Sequence, residues 1–239
     1  MELRYYTPKK WDDLTKSQFI RLTNLLENSN VKYFDVQLYC ILLTPILSIK
    51  HLSKLLFAFL NVPISEVLKE ADFINSMDRT VFPEKLKVGG VYYYGPKPRM
   101  LDVVTDEFAL AYFFFTRFIN SKKESDLNGL VACLYRLKVG EHIAMFDKHN
   151  LDVLGKKLHL VDNTDKMMVF IAFKGSLDVM ASRYKHVFKK GSTSKNNKTW
   201  DDVIHDYSEL KSNGIGALKE VRSSNLYDFI KKLNRKLAS

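Results

Sequence analysis

The stretch Gly89-Gly90-Val91-Tyr92-Tyr93-Tyr94-Gly95-Pro96-Lys97-Pro98 decides how the rest of the chain is read. A β-prone aromatic run bounded on both sides by turn residues is a strand signal, and it is the one convincing strand region in this sequence. Lys87-Val88 before it and residues 99–103 after it are the expected partners, giving a small antiparallel ribbon near residues 87–103. Two or three strands are marginal by themselves, so such a ribbon must rest on helices or pair with another chain. Alternation along a strand sends Tyr93 to the face opposite Tyr92 and Tyr94.

Helix signals flank this region on both sides. Upstream, Thr15-Lys16-Ser17-Gln18 reads as a capping box, with Leu14 and Phe19 as the hydrophobic staple. Phe19, Leu22 and Leu26 continue at helical spacing until Asn28-Ser29-Asn30. Asp35 is placed to cap a second helix to Leu43, stopped by Pro45. Ser48 opens a third, apolar on most sides (Leu52, Leu55, Leu56, Phe59, Leu60), which implies burial. After the break at Val62-Pro63, a fourth segment carries Val67, Leu68, Ala71 and Ile74.

Downstream, Thr105 is the expected cap of a helix with Phe108, Tyr112, Phe115 and Ile119 in one stripe. A polar break at residues 121–125 precedes a helix carrying Leu127, Leu130, Val131 and Leu134. Residues 142–159 read ambiguously, residues 162–188 as one long helix, and residues 189–198 as a polar loop. Residues 200–210 are helical, Gly214-Ile215-Gly216 is a break, and Ser224 caps a last helix through Leu237. The expectation is a mainly α, compact multi-helix fold with a small antiparallel β-ribbon. An N-terminal helical part spans 1–80; the ribbon, further helices, basic loop and C-terminal helix span 81–239; one continuous domain is the alternative.

At 239 residues the chain is long enough for a packed core without staples. Cys40 and Cys133 stand far apart in apolar helical patterns, without a second Cys or a His at ligand spacing, so both are read as buried, reduced thiols. No metal and no cofactor is expected. Residues 1–10 lack the apolar core of a signal peptide. The most apolar stretches, 36–45 and 52–60, fall short of the roughly 20 residues of a membrane span. No membrane partner is expected.

The net charge is +10, and residues 183–239 carry +7 of it. Arg183, Lys185, Lys189, Lys190, Lys195 and Lys198 run without an intervening acid, and Lys231, Lys232, Arg235 and Lys236 follow on the last helix. Concentrated charge of this kind is the footprint of contact with phosphate or with an acidic protein surface. The plainer alternative is a solvated loop and a helix whose cations complement its dipole.

Catalytic patterns are weak. His51, His142, His149, His159, His186 and His205 form no metal-ligand pair. Gly214-Ile215-Gly216 lacks the Lys and Ser/Thr of a phosphate-binding loop, and Ser176 has no nucleophile elbow. Asp201, Asp202 and Glu209-Leu210-Lys211 suggest a metal-dependent nuclease, but that chemistry needs Glu and Lys on one strand and the surroundings read as helix. Tyr92, Tyr93 and Tyr94 could stack bases, or pack on a neighbouring helix or on another subunit. The run Phe113-Phe114-Phe115 covers too wide an arc for one helix stripe, so at least one ring is expected to be buried in a second interface, within the fold or between chains. Tyr92, Tyr93, Tyr94, Phe113 and Phe114 are the candidate subunit contacts.

Several features occur together in order: the ribbon at 91–98, Thr105-Asp106-Glu107-Phe108, residues 130–136 (LVACLYR), Phe173-Lys174-Gly175, Tyr184, Val187-Phe188, Trp200 and Leu226-Tyr227. This layout resembles small helical proteins encoded among the virion-assembly genes of tailed phages and prophages of Bacteroidetes, including the crAss-like group. The resemblance covers residues 83–237 and brings no catalytic residues. It implies a non-enzymatic virion component, most simply a head–tail connector or ring subunit. Its partners would be copies of itself, portal or tail proteins and double-stranded DNA, and its places the host cytoplasm during assembly and then the virion. A tail-assembly chaperone and a nucleic-acid-binding regulator are the rivals.

Overall fold

The computed structural model describes residues 7–27, 32–43, 49–76, 78–188, 199–211 and 215–238. They fall into two compact units, Met1–Arg79 and Thr80–Ser239. The architecture is mainly α-helical with one small antiparallel sheet, as the hydrophobic periodicity requires.

In the first unit, α1 (Lys16–Glu27), α2 (Phe34–Leu43), α3 (Ile49–Asn61) and α4 (Ile64–Lys69) follow one another. The capping box forms: Thr15 N–H donates to Gln18 Oε1 at 3.1 Å, and Gln18 N–H donates to Thr15 Oγ1 at 3.3 Å. Gln18 does more than the motif demands. Its Nε2 donates to the carbonyls of Ile41 and Leu42, satisfying the end of α2 from inside the core. Trp11 is fully buried, its Nε1 donating to Phe73 O at 2.8 Å, while Arg79 donates to Trp11 O at 2.9 Å. Burial of α3 is overturned. Ala58 and Val62 are buried, but Leu56 is 64% exposed and Leu60 78%, with Phe57 and Phe59 also open. A unit this small has too few neighbouring elements to surround a helix, so an all-round apolar pattern leaves part of itself uncovered. Ser48 lies outside the described residues.

The second unit contains β1 (Lys85–Val88), β2 (Val91–Tyr94), α5 (Thr105–Ser121), α6 (Glu124–Leu134), β3 (Arg136–Val139), β4 (His142–Ile143), α7 (His149–Lys157), α8 (Asn163–Arg183), α9 (Trp200–Lys211), α10 (Ile215–Ser223) and α11 (Leu226–Ala238). The strands form one antiparallel sheet in the order β1-β2-β3-β4. Gly89 and Gly90 turn the first hairpin at φ of +56° and +89°, the left-handed pair that a two-residue hairpin loop needs. The second neighbour of β2 is β3, not residues 99–103. Pro96 and Pro98 have no N–H to give a ladder, and the chain enters a short 3-10 turn at Pro98–Met100 instead. The ambiguous stretch 142–159 resolves into β4 and α7.

The helical core of this unit is built on aromatic rings. Phe108 meets Trp200 at 5.0 Å edge-on, and Phe115 stacks on Phe170 at 5.1 Å. Thr105 is not the cap of α5. Val104 holds that place, and its N–H is accepted by Glu107. Thr105 sends both its N–H and its hydroxyl to Ser224 O, and Leu226 N–H reaches Val103 O, so the starts of α5 and α11 are strapped together. Asn225, not Ser224, caps α11 by accepting from Tyr227 N–H. Tyr135, just past α6, donates its hydroxyl to Pro83 O at 2.7 Å, and a Cβ on Gly95 would lie 2.8 Å from both that carbonyl and the Tyr135 ring. Only glycine fits there. Cys133 is fully buried as expected, whereas Cys40 is half-buried.

Candidate nucleic-acid interface

Strand register sorts the sheet residues into two faces. Lys85 stands opposite Tyr94, which stands opposite Arg136; Lys87 pairs with Tyr92, and Lys138 with Ile143. Directly opposed residues share a face, so Lys85, Lys87, Tyr92, Tyr94, Arg136, Lys138 and Ile143 lie on one side. The contacts agree with the register. Lys85 Nζ lies 5.0 Å and Lys87 Nζ 6.0 Å from the Tyr92 ring centre, and Lys138 Nζ lies 5.8 Å from that of Tyr94. Tyr92 is 46% exposed, and the three lysines are exposed. These strand positions carry cations, rings and one isoleucine, and no carboxylate.

On the opposite face Leu86 and Val88 are buried and Tyr93 packs against the core, while Val91, Leu137 and Val139 stay exposed. The candidate subunit contacts therefore divide. Tyr92 and Tyr94 belong to the open face, while the ring of Tyr93 is engaged within the chain. Phe114 also packs on this chain's core: it lies over Gly129 of α6, where any Cβ would run into the ring. Phe113 is 46% exposed, with the Arg117 guanidinium 5.3 Å from its centre. Phe115, the third ring of the run, is buried.

Arg136 joins the basic face to the interior. Its Nε lies 3.6 Å from Glu107 Oε1, and neither atom has a hydrogen-bond partner. Glu107 is fully buried, and burial pushes its carboxyl up to about 8 against the opposing pull of Arg136. At neutral pH Glu107 is therefore largely protonated and leaves the Arg136 charge uncancelled. Close by, Arg222 donates to Asp106 Oδ1 and, at 2.6 Å, to Asp201 Oδ1, and Lys148 reaches Asp106 at 2.9 Å. Burial opposes the Arg222 charge, but the hydrogen bonds to Asp201 and Asp106 outweigh it and raise its pKa above the ordinary value.

The predicted basic residues are only partly brought together. Lys189, Lys190, Lys195 and Lys198 lie outside the described residues. Lys231, Lys232, Arg235 and Lys236 are exposed on α11, and Lys236 lies 5.7 Å from the Tyr207 ring. Arg183 and Lys185 are exposed, and the next residue, His186, donates its N–H to Asn234 Oδ1 of α11 at 3.1 Å. The nuclease pattern is not assembled. Asp201 serves Arg222, Asp202 completes a capping box with Thr199, and Glu209 and Lys211 stand two apart on a helix. Sequence reasoning missed Lys85, Lys87, Lys138 and Arg136. Their signal is present in Lys85-Leu86-Lys87 and Arg136-Leu137-Lys138, two basic alternations matching Tyr92-Tyr93-Tyr94.

The chain matches no protein-family model, no curated protein and no solved structure. Among the described residues, no group of three His, Cys, Asp or Glu side chains could hold a metal ion, and no helix is long and apolar enough to cross a membrane.

Proposed function

We propose that this protein is a non-enzymatic subunit that holds nucleic acid on the open face of its sheet, and that it serves as a structural component of a tailed-phage virion. The observation that carries the first part is the interleaving of Tyr92 and Tyr94 with Lys85, Lys87, Arg136 and Lys138 on one face. Rings supply stacking surfaces that accept any base, and cations track the backbone, which is the design of a single-strand platform. The virion setting rests on the family resemblance. A connector or ring subunit would place this face towards packaged nucleic acid, with the exposed lysines of α11 as a second cationic surface.

Titration of a fluorescent single-stranded oligonucleotide, and of a duplex, over a range of salt tests the proposal. Each phosphate neutralised on a single strand contributes about −0.7 to the slope of log affinity against log salt. The Lys85→Gln/Lys87→Gln/Lys138→Gln variant should flatten the slope by about 2, and Tyr92→Ala should cost about 1–3 kcal/mol of binding. No binding at low salt, or a triple variant indistinguishable from the parent, overturns it.

The uncovered rings and leucines of α3 favour a second reading, a tail-assembly chaperone that receives a helix of another virion protein. Light scattering separates the two: a ring subunit assembles with itself, whereas a chaperone remains a monomer until offered its client.

A further inference from the structure

A cavity of about 560 Å³ opens in the second unit, walled by the start of α5, by β3, by residues 143–146 and by α10. Ile143, Met145, Phe146 and Leu218 give it an apolar lining, with Met145 largely exposed, and Arg136, Lys219 and Arg222 bring positive charge to it. Two of these groups tie it to the sheet face already described: Arg136 and Ile143 belong to both. Asp106, the carboxylate in the lining, is committed to Arg222 and Lys148. Arg222 is in turn shared between Asp106 and Asp201. Arg136 is different. Its Nε has no hydrogen-bond partner, and the buried carboxyl facing it has an equally unpartnered Oε1. That Nε is enclosed, so the guanidinium can meet an anion only through its terminal nitrogens, and its charge faces a carboxyl that does not cancel it.

We propose that this cavity receives the terminal nucleotide of a strand lying on the sheet, with Arg136 binding the terminal phosphomonoester and the base lying against Ile143, Phe146 and Leu218. This rests on the strand-holding function above and adds an end preference to it. A volume of this order holds one nucleotide, within the usual range of small-ligand sites. A phosphomonoester carries more charge than an internal diester, about −1.5 to −2 at pH 7, and offers three acceptor oxygens to the guanidinium fork. Glu107 does not oppose it, being mostly protonated at neutral pH. The same phosphomonoester could come from a free mononucleotide, so the test includes both sources.

The experiment measures binding of the full chain to a short oligothymidine with hydroxyl ends, with a 5′-phosphate and with a 3′-phosphate. Deoxyadenosine monophosphate and deoxyadenosine serve as competitors. One phosphorylated end should bind about tenfold more tightly than the hydroxyl form, equivalent to about 1.4 kcal/mol. Arg136→Gln should abolish that ratio while weakening hydroxyl-ended binding only in part, since Lys85, Lys87 and Lys138 remain on the sheet face, and Arg136→Lys should restore part of the ratio. Glu107 stays neutral when its cationic neighbour is removed, so Arg136→Gln leaves no new buried charge. Lys219→Gln, an exposed change at the rim, should reduce the ratio without touching the buried pair. The sheet triple variant should weaken all oligonucleotides and leave the ratio intact. Equal binding of all end groups, or a ratio that survives Arg136→Gln, overturns the inference while the strand-holding function stands. Competition by deoxyadenosine monophosphate without binding of any oligonucleotide overturns both the strand-end inference and the strand-holding function. Absence of all binding does the same.

Discussion

Glu107 makes stability depend on pH in a direction opposite to the usual carboxylate. Unfolded, it titrates near its ordinary 4.5; folded, near 8. Between those values the native state keeps a proton that the unfolded chain has released. The group's contribution is therefore fully present below about pH 4.5 and declines as pH rises, by at most about 1.4 kcal/mol per unit, until it levels off above about 8. Glu107→Gln preserves the uncharged shape, so the difference in urea stability between variant and parent should grow in the variant's favour from pH 5 to 8. Parallel curves would show that the carboxyl ionises freely. Gly129 gives a second residue-scale expectation. Alanine for glycine inside a helix ordinarily gains about 1 kcal/mol, but here the new methyl meets the Phe114 ring, and overpacking costs about 1–3 kcal/mol. Gly129→Ala should lower the urea midpoint, and adding Phe114→Leu should recover it.

At the level of single elements, α1 and the sheet show two ways a pattern is read. The Thr15–Gln18 motif is legible because a capping box is local: four residues contain all of its partners. Thr15→Ala should cost about 1 kcal/mol. Gln18→Ala should cost more, about 2 kcal/mol, because it also strips the donors from Ile41 O and Leu42 O. Thermal melts of the two variants give the order. The hairpin of β1 and β2 is equally local and follows from Gly89-Gly90. The pairing of β2 with β3 spans more than 40 residues and depends on α5 and α6 packing between them, so no nearby pattern announces it. Thr105 and Ser224 fail as caps for the same reason. Their hydroxyl and carbonyl meet each other across the unit, and that contact outweighs the local preference.

For the whole molecule, the core of the second unit runs from Phe82 to Leu233, and the unit has the size of an ordinary domain. A fragment spanning residues 80–239 should unfold cooperatively by circular dichroism and bind oligonucleotide with the affinity of the full chain. A fragment that is helical but melts without a transition would show that its core is incomplete. The helical class and most core stripes were legible, because burial periodicity is written into each segment; α7 lay in the ambiguous stretch, and apolar positions of α3 and Ile119 of α5 are exposed instead of buried. The candidate face was half legible. Its rings stood in one run, but its cations are split between Lys85-Leu86-Lys87 and Arg136-Leu137-Lys138, and only the closed sheet makes them neighbours. The charge excess of residues 183–239 points to the other end of the chain.

Tyr135 and Gly95 fasten the hairpin to the end of α6 with no space for slack. The ring-bearing surface is accordingly a fixed die and not a moving clamp. Whatever settles on it must do the bending, so the ordering entropy falls on the guest. Pliable polymers would be moulded to its contour.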